Sequence, residues 1–487
     1  MSNPLTTSPL SVWTSRPDRL AAGVGVLILI AVFFVLNSPL LFIGLMLGII
    51  GAVALWAGFE YIPLVVFLQV AFSIEMQITE TTRLTVPTEL LIPLLFLAFG
   101  IIVLIQGKIT YRPSPLNAAV IVLYVMMIVS WRYSLAPVST LKAIIRDTGY
   151  IVAGYYLIPL YIRSERQLRH LLFGCLGVHT LLVFYGFFTQ LLGGFHIYGD
   201  VAQPFFIEHC IYAAFITISF AFILAYYLSL EAGPLRFLLG VLTVIFGAAI
   251  ILTFVRAAWI SVFFLLLFYL FQFRYKKSSV DLIVMLIVVL LLGIVVVITT
   301  DIGGMILDRL DSITDTKYTA NLDRIDRWKI ALQIWGDHPY LGVGWGAYPD
   351  LYFVYAPYSQ FFFDAFFNVI PYSAYLRMGA HNIYLELLAE VGLIGLMIYL
   401  LLIYVFFRRA IFLQHKIQNP LYRTFLIGAQ GAMITYLIHA FVNNLGPSDK
   451  ISLTFWFILG MIPTLEALHR AEEKKNADHP PLPSTSQ

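Results

Sequence analysis

Runs of about 20 predominantly apolar residues, each long enough to cross a bilayer as a helix, recur along this 487-residue chain. They centre near residues 28, 48, 68, 97, 124, 152, 181, 219, 244, 265, 290, 394, 433 and 459. Inside a membrane every backbone N–H and C=O must find a partner within the protein, so unbroken apolar runs of this length are helices. They lack the alternation of a membrane β-barrel. With 60% of residues hydrophobic and only 12% charged, little is left to build a large soluble domain. The expectation is an all-α polytopic membrane protein, a bundle of about fourteen transmembrane helices.

Net charge, +3, says little when the charges are so unevenly placed, but their distribution orients the chain. With an even number of spans and both termini cytoplasmic, the inside loops hold 18 Lys and Arg and the outside loops 12. The inside clusters are Arg163/Arg166/Arg169, Arg274/Lys276/Lys277, Arg408/Arg409/Lys416/Arg423 and Arg470/Lys474/Lys475. Six of the twelve outside cations fall in one long segment, 300–382, and long loops are exempt from the positive-inside rule. The first apolar run follows Arg16 and Arg19 and is not closed by a small-residue cleavage site, so it reads as a span. Cys175 and Cys210 fall within or at the edge of separate spans and read as packing residues. The chain thus divides into an N-terminal bundle of about eleven spans (1–299), a long extracytoplasmic loop (300–382), about three further spans (383–470) and a polar tail (471–487) expected to be disordered.

The long loop holds most of the polar chemistry. Residues 308–329 read as an amphipathic helix start, with Asp323, Arg324, Asp326, Arg327 and Lys329 around Leu322, Ile325 and Trp328. From Trp345 to Tyr375 there are thirteen aromatics in 31 residues. That stretch suits the membrane interface, either as a cover over something bound beneath or as a plug on the bundle. Between them, Asp337-His-Pro-Tyr-Leu-Gly-Val-Gly-Trp-Gly places glycines at 342, 344 and 346. No strand precedes them, which favours a structural turn over a phosphate cradle.

His381-Asn382-Ile-Tyr-Leu-Glu opens the twelfth span, with Asn382 as its N-cap and Asn382, Glu386 and Glu390 on one helical face. A histidine at the membrane surface can take a proton from a hydroxyl at neutral pH; the alternative is a merely hydrogen-bonded side chain. Arg256, in Thr253-Phe-Val-Arg-Ala-Ala-Trp, interrupts two apolar runs at their outer ends. An intramembrane cation costs roughly 2.5–3.5 kcal/mol at the bilayer centre and less near the surface. An anionic partner such as phosphate offsets that cost; snorkelling is the alternative. Glu208-His209 is a second polar point facing the same compartment. Arg146-Asp147 reads as a local ion pair.

The order outside arginine, Arg-x-x-x-Trp, Asp-His-Pro-x-x-Gly-x-Gly-x-Gly, then His-Asn-x-Tyr-Leu-x-x-x-x-Glu-x-Gly-x-x-Gly resembles the bacterial O-antigen ligase and O-antigen polymerase superfamily, in detail over about residues 250–400. Pro204-Phe-Phe-Ile-Glu-His-Cys-Ile-Tyr-Ala-Ala is similar to a motif of its exopolysaccharide polymerase-like members. The resemblance implies a glycosyltransferase C-like fold and a metal-independent, inverting transfer of glycan from an undecaprenyl-pyrophosphate carrier at the outer face of the bacterial inner membrane. It implies His381 as general base on the acceptor hydroxyl and Arg256 with Arg324 holding the departing pyrophosphate. Arg327 is the alternative second arginine, and Glu208, His209 and Asn382 are further substrate-binding candidates. The acceptor is a glycan, lipid or protein hydroxyl. No cofactor, metal or nucleic acid is expected. The chain has no Asp-x-Asp pair, and its first outside loop is just Asn37-Ser38, a poor fit to lipid-linked transferases that use a metal and an acidic first loop. A multi-span transporter, suggested by His179 and His439 within spans, is the rival reading, and an inactive subunit of an export complex is a third.

Overall fold

The computed structural model describes residues 61–77, 83–107, 111–193, 201–274, 319–356 and 379–478, with isolated helical residues between 44 and 52 and between 280 and 311. In chain order the elements are α1 (Ile62–Val70), β1 (Ile74–Gln77), β2 (Arg83–Val86), α2 (Thr88–Gln106), α3 (Pro115–Arg132) and α4 (Pro137–Tyr150). A wider π turn (Ile151–Leu157) carries α4 into α5 (Ile158–Tyr161). Then come α6 (Glu165–Leu192), α7 (His209–Ser229), α8 (Pro234–Leu252), α9 (Arg256–Phe273), α10 (Thr319–Asp337), α11 (Tyr348–Tyr355), α12 (Ile383–Lys416), α13 (Pro420–His439) and α14 (Asp449–Asp478).

Among the described residues seven helices, α3, α6, α7, α8, α9, α12 and α14, are long and apolar enough to cross a membrane. The expected spans near 28 and 290, and most of the one near 48, lie outside the described residues, as do residues 357–375 of the aromatic stretch. Helix starts follow local chemistry. Ser114, Ser164, Asn382 and Asn419 each accept a backbone N–H from the first turn of the helix that follows, and Pro115 and Pro420 sit where no N–H is needed.

Residues 74–77 and 83–86 pair as antiparallel strands, β1 with β2, in register from Ile74↔Val86 to Gln77↔Arg83; each is too short to span and alternates in polarity, as a paired strand does. One expectation is corrected. The polar tail does not lose order at Ala471, because α14 runs to Asp478. Contacts from a neighbouring loop hold the extension: Lys416 Nζ lies 3.3 Å from Glu473 and Asn419 Nδ2 3.4 Å from Glu472.

The core centres on α7 and α13, flanked by α8 and α9; α12 packs on α3 and α10, and α14 on the π turn. Gly154 and Gly460 permit that last approach. A Cβ on Gly460 would sit 2.2 Å from the Tyr155 carbonyl oxygen, and one on Gly154 2.8 Å from that of Leu453. Successive antiparallel helices gather the starts of α7, α9, α12 and α14 with the ends of α8 and α13 at one end of the bundle. The cations of the 408–423 cluster and α14's last turns lie at the other, where Arg409 Nε meets Glu466 at 3.0 Å.

Candidate active site

The site end is built on an interrupted helix. At Gly392 (φ 65°, ψ −172°) α12 leaves helical geometry, which strands backbone groups on either side. The glycine loop completes them: Val343 N donates to Ala389 O at 3.1 Å and Gly344 N to Glu390 O at 2.8 Å, while Leu393 N and Ile394 N donate to Pro339 O and Tyr340 O. Broken backbone at membrane depth is tolerated only when satisfied in this way. Gly342, Gly344 and Gly346 all have positive φ, and a Cβ on Gly342 would lie 2.3 Å from the Glu390 carbonyl carbon. These amides serve the helix, so the loop is a structural turn. Its far side is anchored too, by Glu390 Oε1 accepting from Tyr348 N at 3.1 Å and by the Trp345 indole donating to Asp147 at 2.6 Å. Asp147 also pairs with Arg146 at 2.8 Å.

His381 sits just ahead of α12 in the left-handed region, φ 48°. For a side chain other than glycine that conformation costs roughly 1–2 kcal/mol and needs surrounding structure to hold it. The clamp is explicit. Arg327 Nη1 donates to Gly379 O at 3.1 Å, Ala380 N donates to Glu386 Oε2 at 2.7 Å, and Glu386 Oε1 accepts from Asn444 at 3.0 Å. Asn382 caps the helix through Leu385 N at 3.1 Å, which occupies the side-chain oxygen proposed for substrate. Ile383 N donates to Ala440 O at 2.9 Å, pinning the turn to the end of α13. The half-buried imidazole has an enclosed Nδ1 without a hydrogen-bond partner. Burial, then the guanidinium groups of Arg327 and Arg324, push its pKa down to about 3, leaving it neutral at physiological pH.

Arg256 opens α9 two residues after Phe254, which with His381 makes up the left-handed non-glycine residues among those described. The turn is fixed by Gln190, which donates to Leu252 O at 2.6 Å, and by Trp259, which donates to Ile250 O at 3.3 Å. Arg256 Nη2 donates to Asn321 at 2.8 Å, joining α9 to the first turn of α10. One turn further along lies Arg324, half-buried and close enough to act electrostatically on both His381 and His439. Among the described residues Arg324 makes no hydrogen bond or ion pair. Arg327, by contrast, is buried and engaged, with Asp323 at 2.8 Å and the Gly379 carbonyl. The geometry therefore separates the two candidates into a free cation, Arg324, and a structural one, Arg327.

Glu208 is exposed at the start of α7, and His209 Nε2 lies 3.8 Å from Cys210 Sγ. Their link to the site runs through the backbone of Cys210, which comes up to the His439 ring. Glu386 stood out in the sequence only as one of a helical stripe, and its partner Asn444 carried no signal there, since neither the turn at 440–448 nor its return onto α12 is periodic. Among the described residues no three His, Cys, Asp or Glu side chains converge as a metal site.

No curated protein matches the chain. Residues 241–400, the stretch that holds Arg256, α10, the glycine loop, His381 and the break in α12, match the family model described as O-Antigen ligase; that segment is therefore an O-antigen ligase domain of the ligase and polymerase superfamily.

Proposed function

We propose that the protein transfers or polymerises glycan from an undecaprenyl-pyrophosphate-linked donor onto an acceptor hydroxyl, at the extracytoplasmic face of the bacterial inner membrane. The observation that carries this reading is that Arg324, which makes no hydrogen bond or ion pair among the described residues, acts electrostatically on a neutral histidine held in a left-handed turn. The acceptor hydroxyl gives its proton to the neutral imidazole of His381 as its oxygen attacks the anomeric carbon. A new glycosidic C–O bond forms and the C–O bond to pyrophosphate breaks from the opposite face, so configuration inverts. The leaving group departs as an anion, and fixed positive charge from Arg256 and Arg324 stabilises it. Bringing the pyrophosphate beside the imidazole also offsets the field of the arginines and raises the basicity of His381 when donor is bound. Charge neutralisation by arginines makes the transfer independent of a divalent ion.

The transporter reading loses one of its two supports, because His179 shares a 2.7 Å hydrogen bond with Ser219 Oγ. Complementation of strains lacking either a ligase or a polymerase, read as a glycan ladder, tests the proposal. Loss of long chains marks polymerase, and unattached chains mark ligase. His381→Ala and Arg256→Ala abolish rescue while remaining inserted; wild-type ladders from either variant refute the mechanism. Solute uptake by reconstituted liposomes without lipid-linked sugar would instead favour transport.

A further inference from the structure

Buried polar side-chain atoms are nearly always hydrogen-bonded, and exceptions call for an explanation. Among the described residues thirteen such atoms are enclosed without a partner, and six of them belong to four residues near the end of α13. Nδ1 and Nε2 of His439, Oδ1 and Nδ2 of Asn443, Nε1 of Trp328 and Nδ1 of His381 are all enclosed without a hydrogen-bond partner. His439 is 1% exposed and Asn443 2%. The backbone of Cys210 comes up to the His439 ring, short of a well-formed hydrogen bond.

These residues share one place. His439 ends α13 and Asn443 follows four residues on in a turn closed by Val442 N donating to His439 O at 3.2 Å. Next to Asn443, Asn444 grips Glu386, which holds Ala380 beside His381. Trp328 reaches the same turn through Phe441, ring centroids 6.3 Å apart. Arg324 acts on both histidines, so an anion held there sits beside the cluster.

We infer that His439, Asn443 and Trp328 form a subsite for an uncharged sugar ring, the one attached to the pyrophosphate. The inference rests on the glycan-transfer reading and deepens it. The side-chain set offers amide, imidazole and indole donors with amide and imidazole acceptors. A sugar hydroxyl both donates and accepts, so it fits such a mixed, neutral set. A cation would need carboxylates, and an anion already has the arginines.

The test uses full-length protein in nanodiscs, with undecaprenyl pyrophosphate and its N-acetylglucosamine conjugate as probes, and the variants Asn443→Leu, His439→Leu and Arg324→Ala. The wild type binds the conjugate more tightly than the bare carrier. Asn443→Leu and His439→Leu weaken binding of the conjugate at least tenfold and leave the bare carrier unchanged; Arg324→Ala weakens both. Melting midpoints of the two leucine variants stay level or rise, because each removes buried polar atoms that the free protein leaves unpaired. Unchanged affinity for the conjugate in both leucine variants overturns the subsite and leaves only buried water to explain the cluster. A fall in midpoint also overturns it, since the side chains then serve the fold. If the wild type binds neither probe, the transfer reading fails and the subsite falls with it; if it binds both alike, the subsite alone fails.

Discussion

Arg324 and Arg327 lie one turn apart on α10, and replacing each with alanine separates catalysis from stability. Arg327 is 7% exposed, pairs with Asp323 at 2.8 Å and holds the Gly379 carbonyl at 3.1 Å. Its removal leaves the Asp323 carboxylate, only 16% exposed, without a counter-charge. Breaking one side of such a buried pair costs about 3–5 kcal/mol, and the orphaned carbonyl adds about 1 kcal/mol. Arg324 gives up no hydrogen bond or ion pair to a described residue, so its loss should change stability by less than about 0.5 kcal/mol. On the proposed mechanism Arg324→Ala removes a charge that stabilises the leaving group, comparable to deleting an oxyanion donor, about 3–4 kcal/mol of barrier or 10²–10³ in rate. Purified variants are compared by thermal melting in detergent and by glycan transfer from a lipid-linked donor. Arg327→Ala should melt several degrees lower, and Arg324→Ala should melt with the wild type yet turn over hundreds of times more slowly. Equal loss of stability in the two variants, or a well-folded Arg327→Ala that alone abolishes transfer, refutes the division of roles.

Five other outcomes are expected. Because the native pKa of His381 is lowered to about 3 against about 6.5 in the unfolded chain, the base of the free enzyme stays deprotonated down to about that value. A pH profile of kcat/KM should show no acid limb near 6.5, and one found there contradicts the buried site. The same depression has a stability consequence of defined sign: as pH falls from 6.5 towards 3 the unfolded chain takes up a proton the fold refuses, so the melting midpoint should drop across that window, less so in His381→Ala. Glu386→Gln keeps the shape but weakens the hold on Ala380 and should lower kcat with donor KM unchanged; an effect confined to KM counts against a positioning role. Gly342→Ala meets both a φ of 68° and backbone at 2.3 Å, so protease protection of the loop should be lost, and chelators should leave wild-type turnover unchanged, with loss reversed by added divalent ion as the contrary result.

Much of this was legible in the residues, for identifiable reasons. Spans such as α7 and α8 announce themselves because hydrocarbon tolerates little else, and Asn382 reads as a cap because its side chain competes for the first free amides. The order of Arg256, Arg324 and His381 also survives in one dimension. Which arginine is engaged survives only in part: Asp323 stands four residues before Arg327, a pairing distance on a helix, whereas the Gly379 carbonyl that also holds Arg327 comes from 52 residues away. The turn holding Asn443 and Asn444 is likewise silent, because its partners are more than 50 residues away. Gly392 is silent for another reason: a glycine in an apolar run suits close helix packing as well as a break, and only the docked loop shows that the helix leaves its geometry there.

That break governs how the protein can be assembled. When α12 enters the bilayer, the carbonyls of Ala389 and Glu390 and the amides of Leu393 and Ile394 have no final partners until residues 339–344 arrive from the preceding loop. In hydrocarbon each unmet group costs several kcal/mol, so the helix cannot settle by itself, and the loop that completes it also carries the chain on from α10 and its arginines. Docking of that loop therefore completes α12. With the loop undocked, α12 keeps unmet backbone groups on both sides of Gly392, so the spans alone do not make a finished fold.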